Sequence, residues 1–266
     1  MTVLDGATRL HLILGDPIAQ VKSPGGVTRC FAARGRNAAM LPVHVTAAEF
    51  DDFVRGASLA RNLDGLTITV PHKFAAARHC ATLTERAQLL GAVNVMRRNP
   101  DRSWHGDMLD GAGMVAAIRA CGGEPAGRHA LLVGAGGAGT AIAQALLEAG
   151  VASLALHDAD PARAEALLAR LRPVSGGVPL RGLAAAEPEG CTLVVNATPA
   201  GMRPEDPLPV PPERLRADMF VADVITAPEV TPLLAAARAL GCGTSTGVDM
   251  FGAQVELIAD FLLGGA

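Results

Sequence analysis

The chain has 266 residues, half of them hydrophobic and 18% charged, with a formal net charge of −3. That balance suits one large domain or two small ones with a sizeable core, and with neither a basic run nor an acidic tail it argues against a nucleic-acid partner. Five scattered cysteines without a Cys-x-x-Cys read as free thiols of a reducing cytosol, and no His/Cys spacing suggests a metal.

In chain order, MTVLDGATRLHLILG carries Asp5 early and no basic segment before its apolar run, so no secretory signal is expected. RLHLILG (9–15) predicts a strand, followed by a loop with Pro17 and Pro24 and a helix over 26–34. AAMLPVHV (38–45) predicts a strand. TAAEFDDFVRGASL (46–59) predicts a helix opened by a capping box of Thr46 and Glu49. GLTITV (65–70) reads as a β-branched strand stopped by Pro71, and HKFAAARHC as the helix after it. Strands alternating with helices predict a parallel, covered sheet.

A second unit begins near residue 128. RHALLV, GAGGAG and TAIAQALLEAG read as strand, turn and helix. The uncharged stretch His129–Leu147 is long enough for a membrane helix, but its four glycines between Gly134 and Gly139 divide it into two elements, and no membrane partner is expected. VASLALHD is the next strand, and DPARAEALLARL a helix with Asp160 as cap and Pro161 at its first position. CTLVVNATPAG and MFVADVIT predict strands and TPLLAAARALG a helix. VDMFGAQVELIADFLL is a longer closing helix expected to return to the first unit.

Two features carry chemistry. Gly134, Gly136 and Gly139 form a G-x-G-x-x-G turn between strand and helix, with Gly137 and Ala138 between them and Asp158 following Gly134 by 24 residues. Such a turn brings backbone N–H groups at a helix N-terminus to a pyrophosphate, and the acid binds ribose hydroxyls. The second is lysine usage: only Lys22 and Lys73 of the 23 basic residues are lysines. Arginine does not release its proton, whereas burial can tune a lysine amine to exchange one, so Lys73 is a candidate acid/base.

The stretches GDPIAQVKSP (15–24), TVPHK (69–73), GAVN (91–94), GDMLDGAG (106–113), NATPAGM (196–202), TPLL (231–234) and GVDMFGAQ (247–254) resemble, in this order, the shikimate dehydrogenase family, which includes quinate/shikimate dehydrogenases. The resemblance runs from about Gly15 to Gln254. It implies an α/β fold of two domains: a substrate-binding domain over 1–106 with the closing helix 248–266 packed back on it, and a doubly wound Rossmann domain over 107–247. It implies reversible oxidation of a ring alcohol by hydride transfer to NAD or NADP. The family's catalytic lysine and aspartate match Lys73 and Asp110, and its substrate-binding residues match Ser23, Thr69, Asn94 and Gln254. The cofactor set is Gly134, Gly136, Gly137, Ala138, Gly139, Asp158, Asn196, Thr198, Val224 and Gly247. A small-molecule substrate, a cytoplasmic location and a monomer or homodimer follow as expectations.

This sequence departs from the pattern in places. Gln20-Val21 stands for the usual His-Ser, Met108-Leu109 for Asn-Thr, and Thr226 for a tyrosine. These changes predict a pocket with fewer hydrogen-bond partners and poor kinetics with shikimate. His157-Asp158-Ala159 stands where NADP-using members place Asn-Arg-Thr, which predicts a preference for NAD; Arg163 is the one nearby group that could meet a 2′-phosphate. Lys22 reads as a loop charge, His72 as packed or exposed rather than catalytic, and His11, His44 and His105 as strand or turn residues. Asp64 and Asp107 read as turn carboxylates. Two alternatives stand beside this reading: a related dehydrogenase for a less polar cyclic hydroxy acid, and a non-catalytic nucleotide-binding regulatory protein, against which Lys73 with Asp110 argues. Glutamyl-tRNA reductase shares this kind of Rossmann half but needs a nucleophilic cysteine, and Cys30 lacks the context.

Overall fold

The computed structural model describes residues 4–264. Contacts divide the chain into two compact units, one of residues 1–109 with 254–266 and one of residues 110–253. The closing helix, Gly247–Leu262, contributes its first seven residues to the second unit and the remainder to the first.

The first unit holds β1 (Arg9–Gly15), α1 (Ser23–Ala33), β2 (Ala38–His44), α2 (Phe50–Ala57), β3 (Leu63–Ile68), α3 (Lys73–Ala77), β4 (Cys80–Leu83), α4 (Glu85–Leu90), β5 (Val95–Arg98) and β6 (Trp104–Asp107). Its sheet runs β2-β1-β3-β5-β6-β4. The expected all-parallel sheet is corrected here. β2, β1 and β3 are parallel, but β5 runs antiparallel to both β3 and β6. Five residues, 99–103, join β5 to β6, too few for a crossover helix, so that pair is antiparallel. Ile13, Val27, Phe31, Met40, Val95, Leu109 and Ile258 form one of its cores.

Two local expectations also change. Thr46 and Glu49 do not cap α2: the Thr46 hydroxyl donates to Glu49 Oε2 at 2.7 Å, inside a turn that precedes the helix. Each side chain thereby uses the other rather than the backbone donors a capping box would satisfy. Asp64 lies within β3, ion-paired to Arg9, and Asp107 ends β6, buried and paired to Arg86. Neither is a turn residue.

The second unit holds α5 (Asp110–Ala120), β7 (His129–Val133), α6 (Gly137–Glu148), β8 (Ser153–His157), α7 (Pro161–Leu171), β9 (Leu180–Gly182), β10 (Leu193–Asn196), β11 (Phe220–Asp223), α8 (Pro232–Ala239), β12 (Gly243–Ser245) and the start of α9 (Gly247–Leu262). Its sheet is parallel throughout, in the order β12-β11-β10-β7-β8-β9. Read from β9, that is the doubly wound order whose strand sequence reverses between β7 and β10, the place where such sheets bind ligands. Alternate residues feed opposite faces: Leu132, Leu154 and Leu156 pack on α6 and α7, while Leu131, Val133 and Val194 pack with Leu233 and Leu234 of α8. Burial on both faces explains why these strands are continuously apolar. Asp160 caps α7 by accepting from Ala162 N at 3.0 Å, as its sequence predicts. No helix among the described residues is long and apolar enough to cross a membrane.

Candidate active site

In the first unit the candidate residues gather where β1 and β3 end. Gly15 closes β1, and the Thr69 methyl lies directly against it. Thr69 N–H donates to Leu14 O at 2.9 Å, and His72 N–H to Thr69 O at 3.0 Å, so the chain turns sharply out of β3 and delivers Lys73 as the first residue of α3. Lys73 O accepts Val93 N–H at 3.0 Å, which sets the lysine next to the GAVN segment. His72 is the packed kind of histidine: Nε2 bonds Val45 O at 2.7 Å and the ring stacks on Phe50. Lys22 is exposed just before α1.

Asn94 is the fastening point. Its backbone accepts from Ile68 and donates to Asp107 O, and its Oδ1 accepts Leu109 N–H at 2.8 Å. Gln254, on α9, donates from Nε2 to Leu109 O at 3.5 Å. Ser23 opens α1, and neither its hydroxyl nor that of Thr69 has a hydrogen-bond partner among the described residues. Asp107, which the sequence did not mark as important, lies beneath this group. Its carboxylate accepts two bonds from Arg86, at 2.7 and 2.5 Å, one from the Thr84 hydroxyl at 2.6 Å and one from Met108 N–H at 2.7 Å. Burial alone would raise its pKa, but Arg86 and Thr84 outweigh that and hold it below the usual carboxylate range.

The three apolar replacements differ in burial. The Met108 side chain is fully buried, and Leu109 packs in the core with Ile13, Phe31 and Ile258. At Leu109 it is the backbone, not the side chain, that meets Asn94 and Gln254. Val21 is half-buried against that same core. The apolar residues at 21 and 109 share one packing cluster.

In the second unit the glycine turn follows β7. Gly134 sits at φ +106°, where L-residues are strained, and a Cβ there would lie 2.9 Å from Ala197. At Gly139 a Cβ would run into Gly134 O. Gly136 differs: nothing lies within 4 Å of its Cβ position, so the loop leaves open space beside its own backbone. Gly137 and Ala138 begin α6, whose free N–H groups face that end. Asp158, just beyond β8, accepts Ala135 N–H at 2.6 Å and Asp160 N–H at 2.8 Å. A carboxylate has about four lone-pair positions, so two remain for ribose hydroxyls. Open backbone, helix N-terminus and acid fit a dinucleotide.

Asn196 ends β10 with its side chain fully buried and used by the protein. Oδ1 accepts from the Thr198 N–H at 3.0 Å and hydroxyl at 2.7 Å, and Nδ2 donates to Asp223 Oδ1 at 3.2 Å. Asp223, a residue sequence reading passed over, also accepts from Ile225 N–H and the Thr231 hydroxyl. Burial pushes it up to about 6. Val224 N–H donates to Asn196 O at 3.1 Å, and Gly247 packs against the backbone of Val224 and Ile225. Asp110 is the first residue of α5 and is buried; the next residue, Gly111, lies against the backbone of Ala141 on α6.

The family model for the shikimate dehydrogenase substrate binding domain matches residues 13–96. The chain is 40% identical to the shikimate dehydrogenase (NADP(+)) of Rubrobacter xylanophilus, over 92% of this chain and 87% of that one. The chain belongs to the shikimate dehydrogenase family. It superposes on the ligand-free 5-ketofructose reductase of Gluconobacter sp. strain CHM43 with a TM-score of 0.85 at 30% identity, covering 97% of this chain and 93% of that one. It superposes equally, with a TM-score of 0.85 at 29% identity, on the quinate dehydrogenase of Corynebacterium glutamicum in complex with NAD, covering 97% and 94%. The two-domain α/β fold expected for a shikimate dehydrogenase is thus borne out.

Proposed function

We propose that this protein catalyses the reversible NAD(P)-linked oxidation of a ring alcohol in a cyclic hydroxy acid of the shikimate or quinate type. The observation that carries this is the convergence of Thr69, Lys73 and Asn94 at the ends of β1 and β3, with two hydroxyls, Ser23 and Thr69, left without hydrogen-bond partners among the described residues. Such hydroxyls suit a substrate's carboxylate and ring hydroxyls. Lys73 takes the carbinol proton as the hydride leaves carbon and returns it in reduction; Asp110 binds the same hydroxyl. Ser23, Thr69, Asn94 and Gln254 orient the ring, with Asn94 and Gln254 tied to the backbone of Leu109. Gly134, Gly136, Gly137, Ala138, Gly139 and Asp158 hold the dinucleotide, Thr198, Val224 and Gly247 border it, and Asn196 shapes that border from within. When bound, the nicotinamide supplies the hydride acceptor.

The cofactor preference we assign is NAD. Asp158 presents a carboxylate beside the glycine turn, and a carboxylate accepts from a 2′-hydroxyl but repels a 2′-phosphate. Arg163, the nearby cation, is exposed and pairs with Asp160 at 3.4 Å. The Rubrobacter relative is named for NADP, while the Corynebacterium quinate dehydrogenase was solved with NAD. A second reading, a less polar ring substrate, rests on Val21 in place of a serine. Initial rates over a panel of cyclic hydroxy acids with each dinucleotide test both. Turnover of no ring hydroxy acid would refute the activity, and a higher kcat/KM with NADP would refute the preference.

A further inference from the structure

A groove of about 520 Å³ opens in the first unit at the end of the sheet opposite to Thr69 and Gly15. Four arginines line it, Arg9, Arg36, Arg97 and Arg98, against one carboxylate, Asp64. The chain as a whole is net negative, so this concentration of positive charge is local.

The four are not equivalent. Arg9 is committed to Asp64 and to Arg61 O. Arg98 stacks on Trp104 at 3.6 Å and donates to the carbonyls of Leu63, Arg102 and Ser58, at 3.3, 2.6 and 2.8 Å. These two are fixed walls of positive charge. Arg36 and Arg97 are different: among the described residues neither guanidinium has a hydrogen-bond or ion-pair partner, and Arg97 is held only by stacking on Phe261. Their donors remain available in the fork geometry that matches carboxylate and phosphate oxygens.

His11 gives a second, independent sign. It lies on β1 and lines the groove, is 2% exposed, and neither ring nitrogen has a hydrogen-bond partner among the described residues. Nδ1 is sealed against Gly65. Buried polar groups without partners cost free energy, and with Nδ1 sealed, Nε2 is the ring nitrogen a bound molecule could satisfy. Leu262 and Leu263, at the end of α9, give the same groove an apolar side.

We propose that this groove binds a small organic anion, a carboxylate or phosphate head held by Arg36 and Arg97 with an apolar body against Leu262 and Leu263. It is separate from the residues proposed for catalysis: Leu262 stands eight residues beyond Gln254 on α9, roughly 12 Å along the helix axis. The two head groups are separated by probe. Benzoate and phenyl phosphate are titrated into the full-length protein by calorimetry at constant ionic strength. Saturable binding at one site is expected for at least one of them, the tighter probe identifying the head group. Arg36→Gln and Arg97→Gln should each weaken it at least tenfold, while Arg29→Gln, an exposed arginine of α1 outside the groove, should leave it unchanged. Arg36→Gln removes no hydrogen bond or ion pair among the described residues, so it remains informative if Arg97→Gln unfolds. Absence of saturable binding to the wild type, or binding that Arg36→Gln and Arg97→Gln both leave intact, overturns the proposal. So does a change of oligomeric state in the Arg36→Gln variant by sedimentation, which would assign the groove to a second copy of the chain.

Discussion

Asn94 and Gln254 meet on a single residue: the first accepts the N–H of Leu109 and the second donates to its carbonyl. Residues far apart in sequence are thereby set by the backbone of one residue, the one before Asp110. Removing the acceptor strands a buried donor, so Asn94→Ala should cost about 1–3 kcal/mol of stability to urea unfolding. Asn94→Asp keeps the acceptor and should lose much less. Equal losses in the two variants would show that the Leu109 bond is not what matters.

The Arg86–Asp107 pair supports the same segment. Breaking a buried ion pair from one side leaves the other charge uncompensated, so Arg86→Ala should destabilise the protein by about 3 kcal/mol. The pH sign follows from the depressed carboxylate: the contribution is complete above the unfolded value near 4 and is lost as pH falls through the lower folded value. Arg86→Ala should flatten that acid limb of the stability curve. An unchanged limb would contradict the assignment.

Asp223 should act with the opposite sign. Its folded pKa is raised to about 6, from an ordinary 3.8, with burial as the largest cause. Its protonated form is favoured in the native state, so this contribution is complete below pH 3.8 and is lost as pH rises through about 6. Asp223→Asn should abolish that slope, a difference approaching ~3 kcal/mol at 1.36 kcal/mol per pH unit. Thermal unfolding of both proteins from pH 4 to 8 checks it; parallel curves would contradict it.

The second unit was largely legible in the sequence because each signal there acts alone. Asp160 and Thr231 cap their helices locally, continuous apolar runs give the parallel strands, and the glycines answer to close approach at Gly134 and Gly139. The first unit hides more. β4, β5 and β6 are four residues each, and β5 ends in two arginines that sequence patterning assigns to solvent. Arg98 is tolerated there because Trp104 and three carbonyls, one of them Leu63 O of β3, surround it. Motif position tells where the backbone at Met108 and Leu109 goes, but not that both side chains are buried. Asp107 reads from sequence as a turn carboxylate, and Asp223 carries no signal, because their partners, Arg86 and Asn196, become neighbours only through the fold.

Of the apolar replacements, Val21 alone remains half-exposed, and the effect on substrate should be correspondingly small. Val21→Ser should improve KM for shikimate by roughly tenfold, the value of one hydrogen bond near 1.4 kcal/mol. A KM that does not move would place Val21 outside the substrate's reach.

Asp158 should set the dinucleotide. Asp158→Ala should narrow the ratio of kcat/KM for NAD over NADP by about tenfold or more, by removing both an acceptor and a repulsive charge. A ratio that widens would reverse the role given to this carboxylate.

The most direct measurement compares wild type with Lys73→Arg in steady-state oxidation of shikimate and quinate, alongside dinucleotide binding by calorimetry. The substitution keeps the positive charge and removes the exchangeable proton. The account predicts turnover by the wild type, a loss of roughly two or more orders of magnitude in kcat for the variant, and unchanged dinucleotide affinity. A Lys73→Arg enzyme that retains wild-type kcat would contradict it.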